Sequence, residues 1–386
     1  MSRQPHATRR LERLACLAFV PVIALLATNV AAAAAEDSWD GVPRVVAVGD
    51  VHGDYGQLVV VLRDAGLVDA RLRWTGGNTH LVQTGDRLDR GAESRKVMDL
   101  LMRLEKEAKK AGGRVHPLLG NHEAMNMLGE LRDVSPGEFA AFQRPDSRLR
   151  RDALWERLRE QRRQRGQPAP SDADRERFEA EIPLGWVEHR QAFKPDGTYG
   201  AWLARQNAVI RIGGTLFLHG GLSPKYADFS LTELNERIRR ELQDPDPMTA
   251  IVSQDSEGPL WYRGLASGEA SLLPHLDAVL LRHGVRRMVI AHTPTEGAVM
   301  PCFGGRVLAI DVGLARFYGG PPAALILEGE QAFALHRGRR LRLPEGEGEP
   351  LLRYLREAAA LEPAPARLEA LILRLEAAPS AAPSPP

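Results

Sequence analysis

Five short apolar runs each lead directly into a tight turn that carries Asp, Asn or His. This repeated grammar constrains the fold more than any other feature of the chain. The runs are Arg44–Val48 before Gly49-Asp50, His80–Gln83 before Gly85-Asp86, 115–119 before Gly120-Asn121, Thr215–Leu218 before His219-Gly220-Gly221, and Arg287–Ile290 before Ala291-His292. Runs of this length bounded by turn residues read as buried strands. Between the second and third, residues 94–111 place Val97, Leu101, Leu104 and Ala108 on one face, pair Glu105 with Lys109 and stop at Gly112-Gly113, the pattern of a capped amphipathic helix. Strand, helix, strand implies an α/β fold with a substantially parallel sheet, and ligands gather at the carboxyl ends of such strands.

Later segments predict hairpins, 208–212 with 215–218 around Gly213-Gly214, and 323–327 with 331–335 around Glu328-Gly329-Glu330. Helices are expected over 230–243, opened by the capping box Ser230/Glu233, and over 273–283. Residues 133–185 break the grammar. From Arg144 to Glu179 there are eleven Arg against eight acidic residues with a thin stripe of Leu154 and Leu158, which reads as one or two solvated helices joined through 166–171. After Pro344 come two short helical patterns and a Pro/Ala/Ser tail at 379–386.

Charge and cysteine content remove whole classes of function. With 51 Lys and Arg against 50 Asp and Glu in 386 residues, the chain is not a generally basic nucleic-acid binder. Two cysteines exclude a disulfide-stapled scaffold. The N-terminus carries Arg3, Arg9, Arg10 and Arg13, then the apolar run 14–27 and an alanine run ending at Ala35, which predicts a secretory signal peptide over residues 1–35 and an exported, periplasmic protein. The alternative is an uncleaved anchor that tethers the protein to a membrane; Pro21 and the alanines argue against a stable span. Cleavage leaves a net charge of −2 and Cys302 as the lone thiol. The domain plan is then a catalytic domain over 42–342, with the charged insertion at 133–185, followed by a C-terminal tail at 343–386.

Asp50 and His52, two residues apart, can point the same way and grip one ion. Asp86, Asn121, His219 and His292 close four further strands. Six hard or borderline ligands are too many for one ion with open positions and suit two ions that share a bridging carboxylate, for which Asp86 is the candidate. Asp50 and His52 complete one site; Asn121, His219 and His292 complete the other. The mixture of imidazole, carboxylate and amide favours Mn, Fe or Zn over Ca, with Mn the expected pair. His122, next to Asn121, is placed to protonate a leaving group, with Asp89 as its orienting carboxylate. Arg90 and Arg263 are candidate phosphate clamps, and Asn121 also faces the phosphate. Arg87 and Asp54 read as supporting residues; the other histidines, Met125, Met127 and Cys302 read as structural.

The segments Gly49-Asp50-Val51-His52-Gly53, Gly85-Asp86-Arg87-Leu88-Asp89-Arg90-Gly91, Gly120-Asn121-His122-Glu123 and His219-Gly220-Gly221 together resemble the calcineurin-like metallophosphoesterases, and within them the phosphoprotein phosphatase group. Met125-Asn126-Met127, the long insertion, Tyr199-Gly200-Ala201-Trp202-Leu203 and Trp261-Tyr262-Arg263-Gly264 narrow the resemblance to the Shewanella-like protein phosphatases, over roughly residues 42–340. The resemblance implies a four-layer α-β-β-α sandwich with mixed sheets, a dinuclear site at the strand ends, and hydrolysis of phosphomonoesters by attack of a metal-bridging hydroxide with His122 as general acid. Implied substrates are phosphoproteins, on Ser/Thr or Tyr, or small phosphomonoesters. Ala291-His292-Thr293-Pro294 lacks the arginine that precedes this histidine in the eukaryotic Ser/Thr enzymes, and Asp311-Val312-Gly313 replaces their inhibitor-binding tyrosine segment. The diadenosine tetraphosphatases have a similar His-Thr-Pro form, so a nucleotide hydrolase of the same fold is the alternative. A phosphate-binding pseudoenzyme is the third reading, and the complete ligand set argues against it. Physiological substrate and oligomeric state are not encoded in these motifs.

Overall fold

All five apolar runs form strands in the computed structural model, which describes residues 36–377. Among the described residues the strands are β1 (Ser38–Trp39), β2 (Arg44–Val48), β3 (His80–Gln83), β4 (Arg114–Pro117), β5 (Val209–Ile212), β6 (Thr215–Leu218), β7 (Arg287–Ile290), β8 (Met300–Cys302), β9 (Val307–Ala309), β10 (Ala323–Glu328), β11 (Gln331–His336) and β12 (Arg339–Arg342). They make two six-stranded sheets, ordered β1-β5-β6-β7-β9-β8 and β12-β11-β10-β2-β3-β4. Both are mixed. β2, β3 and β4 run parallel, as do β6, β7 and β9, while β5-β6, β8-β9, β2-β10, β10-β11 and β11-β12 pair antiparallel. Residues of both sheets and of the helices share one apolar core, in which Val46, Leu81, Leu216 and Val289 are fully buried. With helices outside, this is the expected four-layer sandwich.

The helix Ser94–Lys110 buries Val97, Leu101, Leu104 and Ala108, the stripe seen in the sequence. Ser230 caps the helix Leu231–Gln243 through the box with Glu233. The third run differs in detail. β4 ends at Pro117, because Leu118 N–H still donates to Gln83 of its own sheet but Leu119 N–H donates to Asn207, beside β5 of the other sheet. That handover carries the chain across the sandwich to Asn121.

Two segments read from composition as peripheral are packed inward. The insertion does hold two charged helices, Ser147–Gln164 and Asp172–Glu181. Its first helix, Pro136–Ala141, instead buries Glu138 and Phe139. At the other end, the helices Glu349–Ala359 and Ala366–Ala377 place Leu351, Tyr354, Leu355, Leu368 and Ile372 in the shared core, and the Tyr354 hydroxyl donates to the Val299 carbonyl at 2.8 Å. The signal peptide expected at 1–35 and the tail at 379–386 lie outside the described residues. No helix among the described residues is long and apolar enough to cross a membrane.

Candidate metal and phosphoester site

Every candidate ligand leaves the carboxyl end of a strand, from β2, β3, β4, β6 or β7, so the two sheets deliver six candidate ligands to one seam. The turns are forced by close backbone approach. A Cβ on Gly49 would meet the Ile310 carbonyl at 2.4 Å, and one on Gly120 would meet Asp86 Oδ1 at 2.2 Å. His52, Asp86, Asp89, Arg90 and His292 all adopt positive φ, between 43° and 69°. Such strain in non-glycine residues persists only where surrounding contacts over-determine it, and it concentrates at functional sites.

Asp86 sits at the centre. Its Oδ2 lies 3.2 Å from His219 Nε2 and 3.8 Å from both His52 Nε2 and His122 Nε2. Asp50 Oδ2 is 3.8 Å from His52 Nε2, and Asn121 Oδ1 is 3.0 Å from His219 Nε2. Two groups able to hold an ion result, His52-Asp86-His122 and Asp86-His219-His292, and they share Asp86. The sequence reading paired Asp50 rather than His122 with His52. Both face that ion position, but His122 Nδ1 is already bound by Asp89 Oδ2 at 2.6 Å.

The donor chemistry fits a pair of divalent cations. His52 Nδ1 meets the Leu88 carbonyl at 2.9 Å and His219 Nδ1 meets the Thr84 carbonyl at 2.9 Å; these contacts fix the tautomers and turn each Nε2 towards Asp86. His292 Nε2 is buried without a hydrogen-bond partner among the described residues, an orphan that a cation would satisfy. Burial holds His52 neutral, down to about 4, and pushes His292 down as well with help from His219; neutral imidazole is the ligating form. Burial, together with Asp311 and Asp86, raises Asp50 well above the usual carboxylate range, and burial lifts Asp311 itself to about 6. Those packed carboxyls call for compensating positive charge.

Supporting residues surround the ligands. Fully buried Glu123 accepts the N–H groups of Asp86 (2.9 Å), Arg87 (2.9 Å) and Gly120 (2.7 Å), and the Arg87 Nε (3.2 Å), tying the β3 turn to the start of helix Asn121–Leu128. The Arg87 guanidinium stacks 5.1 Å from Trp202, whose Nε1 donates to Glu105 at 2.7 Å. Asn126 Nδ2 donates to both Asp89 oxygens, at 2.9 and 3.1 Å. The sequence reading assigned no roles to Glu123, Asn126 or Asp311; the Asn-His-Glu triplet and Asp311 itself were in view, but their partners lie far away in the chain.

The two arginines lie at the rim. Arg90 Nη2 is 3.5 Å from His122 Nε2 and 3.8 Å from Asp133, and its guanidinium lies over Phe317 and Tyr318 at 5.3 and 5.4 Å. Tyr318 also packs 5.5 Å from the His52 ring. Exposed Arg263 donates to the His292 carbonyl at 2.6 Å and to Thr293 Oγ1 at 3.2 Å. Cys302 is set apart, with burial raising its thiol to about 11, which suits the structural role expected of it.

Comparison with known proteins agrees with this geometry. The calcineurin-like phosphoesterase family profile matches residues 43–296. An uncharacterised protein of Schizosaccharomyces pombe is 33% identical over 78% of this chain and 83% of its own length. Shewanella-like protein phosphatase 2 of Arabidopsis thaliana is 30% identical over 71% of this chain and 72% of its own. Among solved structures, the cold-active protein-tyrosine phosphatase of a psychrophile Shewanella sp. superposes with a TM-score of 0.61 at 28% identity, over 80% of this chain and 82% of that one. The chain belongs to the calcineurin-like phosphoesterase family and is a hydrolase of phosphoesters.

Proposed function

We propose that this protein is a dinuclear-metal phosphomonoesterase acting on phosphorylated protein residues, with small aryl phosphates as accessible substrates. The single observation that carries the reading is Asp86, whose carboxylate is shared by two ion-holding groups, beside a histidine bound to its own carboxylate. When bound, the cations activate water and neutralise phosphate charge. Asp50, His52, Asp86, Asn121, His219 and His292 hold them, and Mn is the proposed pair, with Fe or Zn as substitutes.

The chain's own groups do the rest. Arg90, beside His122, and Arg263, beside His292, orient the phosphate, and Asn121 joins them. His122 presents Nε2 towards the same space and donates its proton to the departing oxygen. Although burial opposes a charged imidazole, Asp86 and Asp89 outweigh it in the metal-free protein and hold His122 up to about 9, a shift towards the protonated form that a general acid needs. Phe317, 62% exposed beside Arg90, and Tyr318 give the rim an aromatic wall suited to a phosphotyrosine ring. We place the mature enzyme outside the cytoplasm, after cleavage near residue 35.

Purified protein starting at Glu36, loaded with Mn, should hydrolyse phosphotyrosine or phosphoserine peptides and p-nitrophenyl phosphate. Failure on all of these with two metals still bound sinks the proposal. Turnover confined to dinucleoside polyphosphates would select the nucleotide-hydrolase reading instead.

A further inference from the structure

The arginine-rich insertion begins with a stretch that does not behave as solvated surface. Its first residues hold the β3 turn at three successive positions. Asp89 N–H donates to Glu138 Oε2 at 3.1 Å, Arg90 N–H donates to the Asp133 carbonyl at 3.0 Å, and Ser135 Oγ donates to the Gly91 carbonyl at 2.9 Å. Asp89 and Arg90 are the two residues of that turn with φ of +69° and +64°, a conformation that local preference disfavours and that outside contacts must maintain. Ser135 also caps the Pro136–Ala141 helix by accepting Glu138 N–H at 3.1 Å, so the clamp is itself anchored.

Glu138 is fully buried, and its other oxygen faces His189 Nε2 at 3.8 Å. His189 is wedged among Phe139, Phe142 and Phe193, with ring centroids 5.2, 4.9 and 4.6 Å away. In this largely apolar pocket the carboxyl's polar neighbours are the Asp89 amide, which it accepts, the buried Ser94 hydroxyl and His189. Burial first, and the Asp89 charge second, push Glu138 up to about 8, so near neutral pH it accepts the amide without setting a second full charge against Asp89. Asp89 in turn holds His122 Nδ1 at 2.6 Å.

We propose that Glu138 is a positioning residue for catalysis: through the Asp89 amide it keeps the Asp89 carboxylate, and hence His122, aimed at the leaving group. The insertion is then part of the proton-delivery apparatus, and its charged helices extend from that anchor. The inference rests on the reading of His122 as general acid.

Leaving-group dependence tests it, because an acid matters most when the departing oxygen is basic. Wild type, Glu138→Ala, Glu138→Gln and Asp89→Asn, each carrying its full metal complement, are compared on phenyl phosphate and on p-nitrophenyl phosphate. Glu138→Ala should lower kcat about 10-fold on phenyl phosphate and less than about 2-fold on p-nitrophenyl phosphate, with KM unchanged. Glu138→Gln, whose amide oxygen still accepts the Asp89 N–H, should restore phenyl phosphate turnover to within about 3-fold. Asp89→Asn should cost about 100-fold on phenyl phosphate. Equal losses of Glu138→Ala on both substrates, or none on either, overturn the role of Glu138 while leaving His122 its own. If Asp89→Asn shows no leaving-group dependence, the acid reading itself fails and the inference goes with it. Should Glu138→Ala not fold, Glu138→Asp, which withdraws the carboxyl from the amide but keeps it in the pocket, reads the same ratio.

Discussion

Glu123 should matter to this protein out of proportion to its size. Its side chain is fully buried and accepts four hydrogen bonds, three from backbone N–H groups of Asp86, Arg87 and Gly120 and one from the Arg87 guanidinium. Each orphaned buried N–H costs about 1–3 kcal/mol. Stranding the buried Arg87 charge, whose Nη atoms have no hydrogen-bond partner among the described residues, costs about 3–5 kcal/mol. Glu123→Ala therefore removes about 6 kcal/mol or more, comparable to the whole stability of a typical domain, and should not accumulate as folded protein. Glu123→Gln is the informative change. Its amide oxygen can serve only one side, either Arg87 or the Asp86–Gly120 pair, while its NH₂ confronts donors on the other and the carboxylate charge is gone. A loss of about 3 kcal/mol is expected, read as a lowered urea midpoint at unchanged slope. Because either orientation of the amide disturbs the turn that carries Asp86, turnover should drop in the same variant even where it is folded. A Glu123→Gln protein within about 0.5 kcal/mol of wild type and fully active would refute the reasoning, since it would mean that the four bonds neither hold the β3 turn nor set Asp86.

The same site geometry and packing lead to four further outcomes. Asp86→Ala removes the shared carboxylate and should reduce bound metal from two ions to one or none by elemental analysis; retention of both ions would exclude the bridging role. Arg263→Ala should raise KM for aryl phosphates about 10-fold, the loss of one charge-assisted contact, with the urea midpoint unmoved because the side chain is exposed. In metal-free protein the His122 imidazole should stay charged to about pH 9 by NMR titration, and Asp89→Asn should lower that value by removing a favourable carboxylate. The raised pKa contributes stability below the unfolded histidine value of about 6.5 that is lost as pH rises through about 9. A titration unmoved by Asp89→Asn would contradict the pairing. Leu355→Ala, at a fully buried position of the Glu349–Ala359 helix, should cost about 3 kcal/mol by denaturation. A negligible effect there would mean that the C-terminal helices are dispensable.

The strands and the ligands were legible in sequence for one reason: each strand end and its ligand are contiguous. Arg44–Val48 is a buried strand by its apolar run, and Asp50 and His52 follow within four residues. The same holds for Asp86, Asn121, His219 and His292. The His122–Asp89 pairing spans 33 residues yet was foreseen, because an acid histidine needs an orienting carboxylate and Asp89 lies in a neighbouring strand-end turn. Composition misled where burial and charge part company. The insertion is rich in Arg, and two of its helices are exposed, but Glu138 sits among aromatic rings at its root. Likewise the helices after Pro344, short and charged in sequence, bury one apolar stripe each against the β-sandwich.

What sequence determined by itself, then, is the inventory: the α/β class, five strand ends bearing candidate ligands, and the histidine beside them. Only the tertiary structure decided how those ends converge. Glu123 reaches back 37 residues to Asp86, Glu138 reaches back 49 to Asp89, and His292 N–H meets Asp50 across 242. A carboxylate's partner at such separations is not written in its neighbours, because strand order and crossover bring the groups together, and any buried charge then takes whichever donor the packing presents.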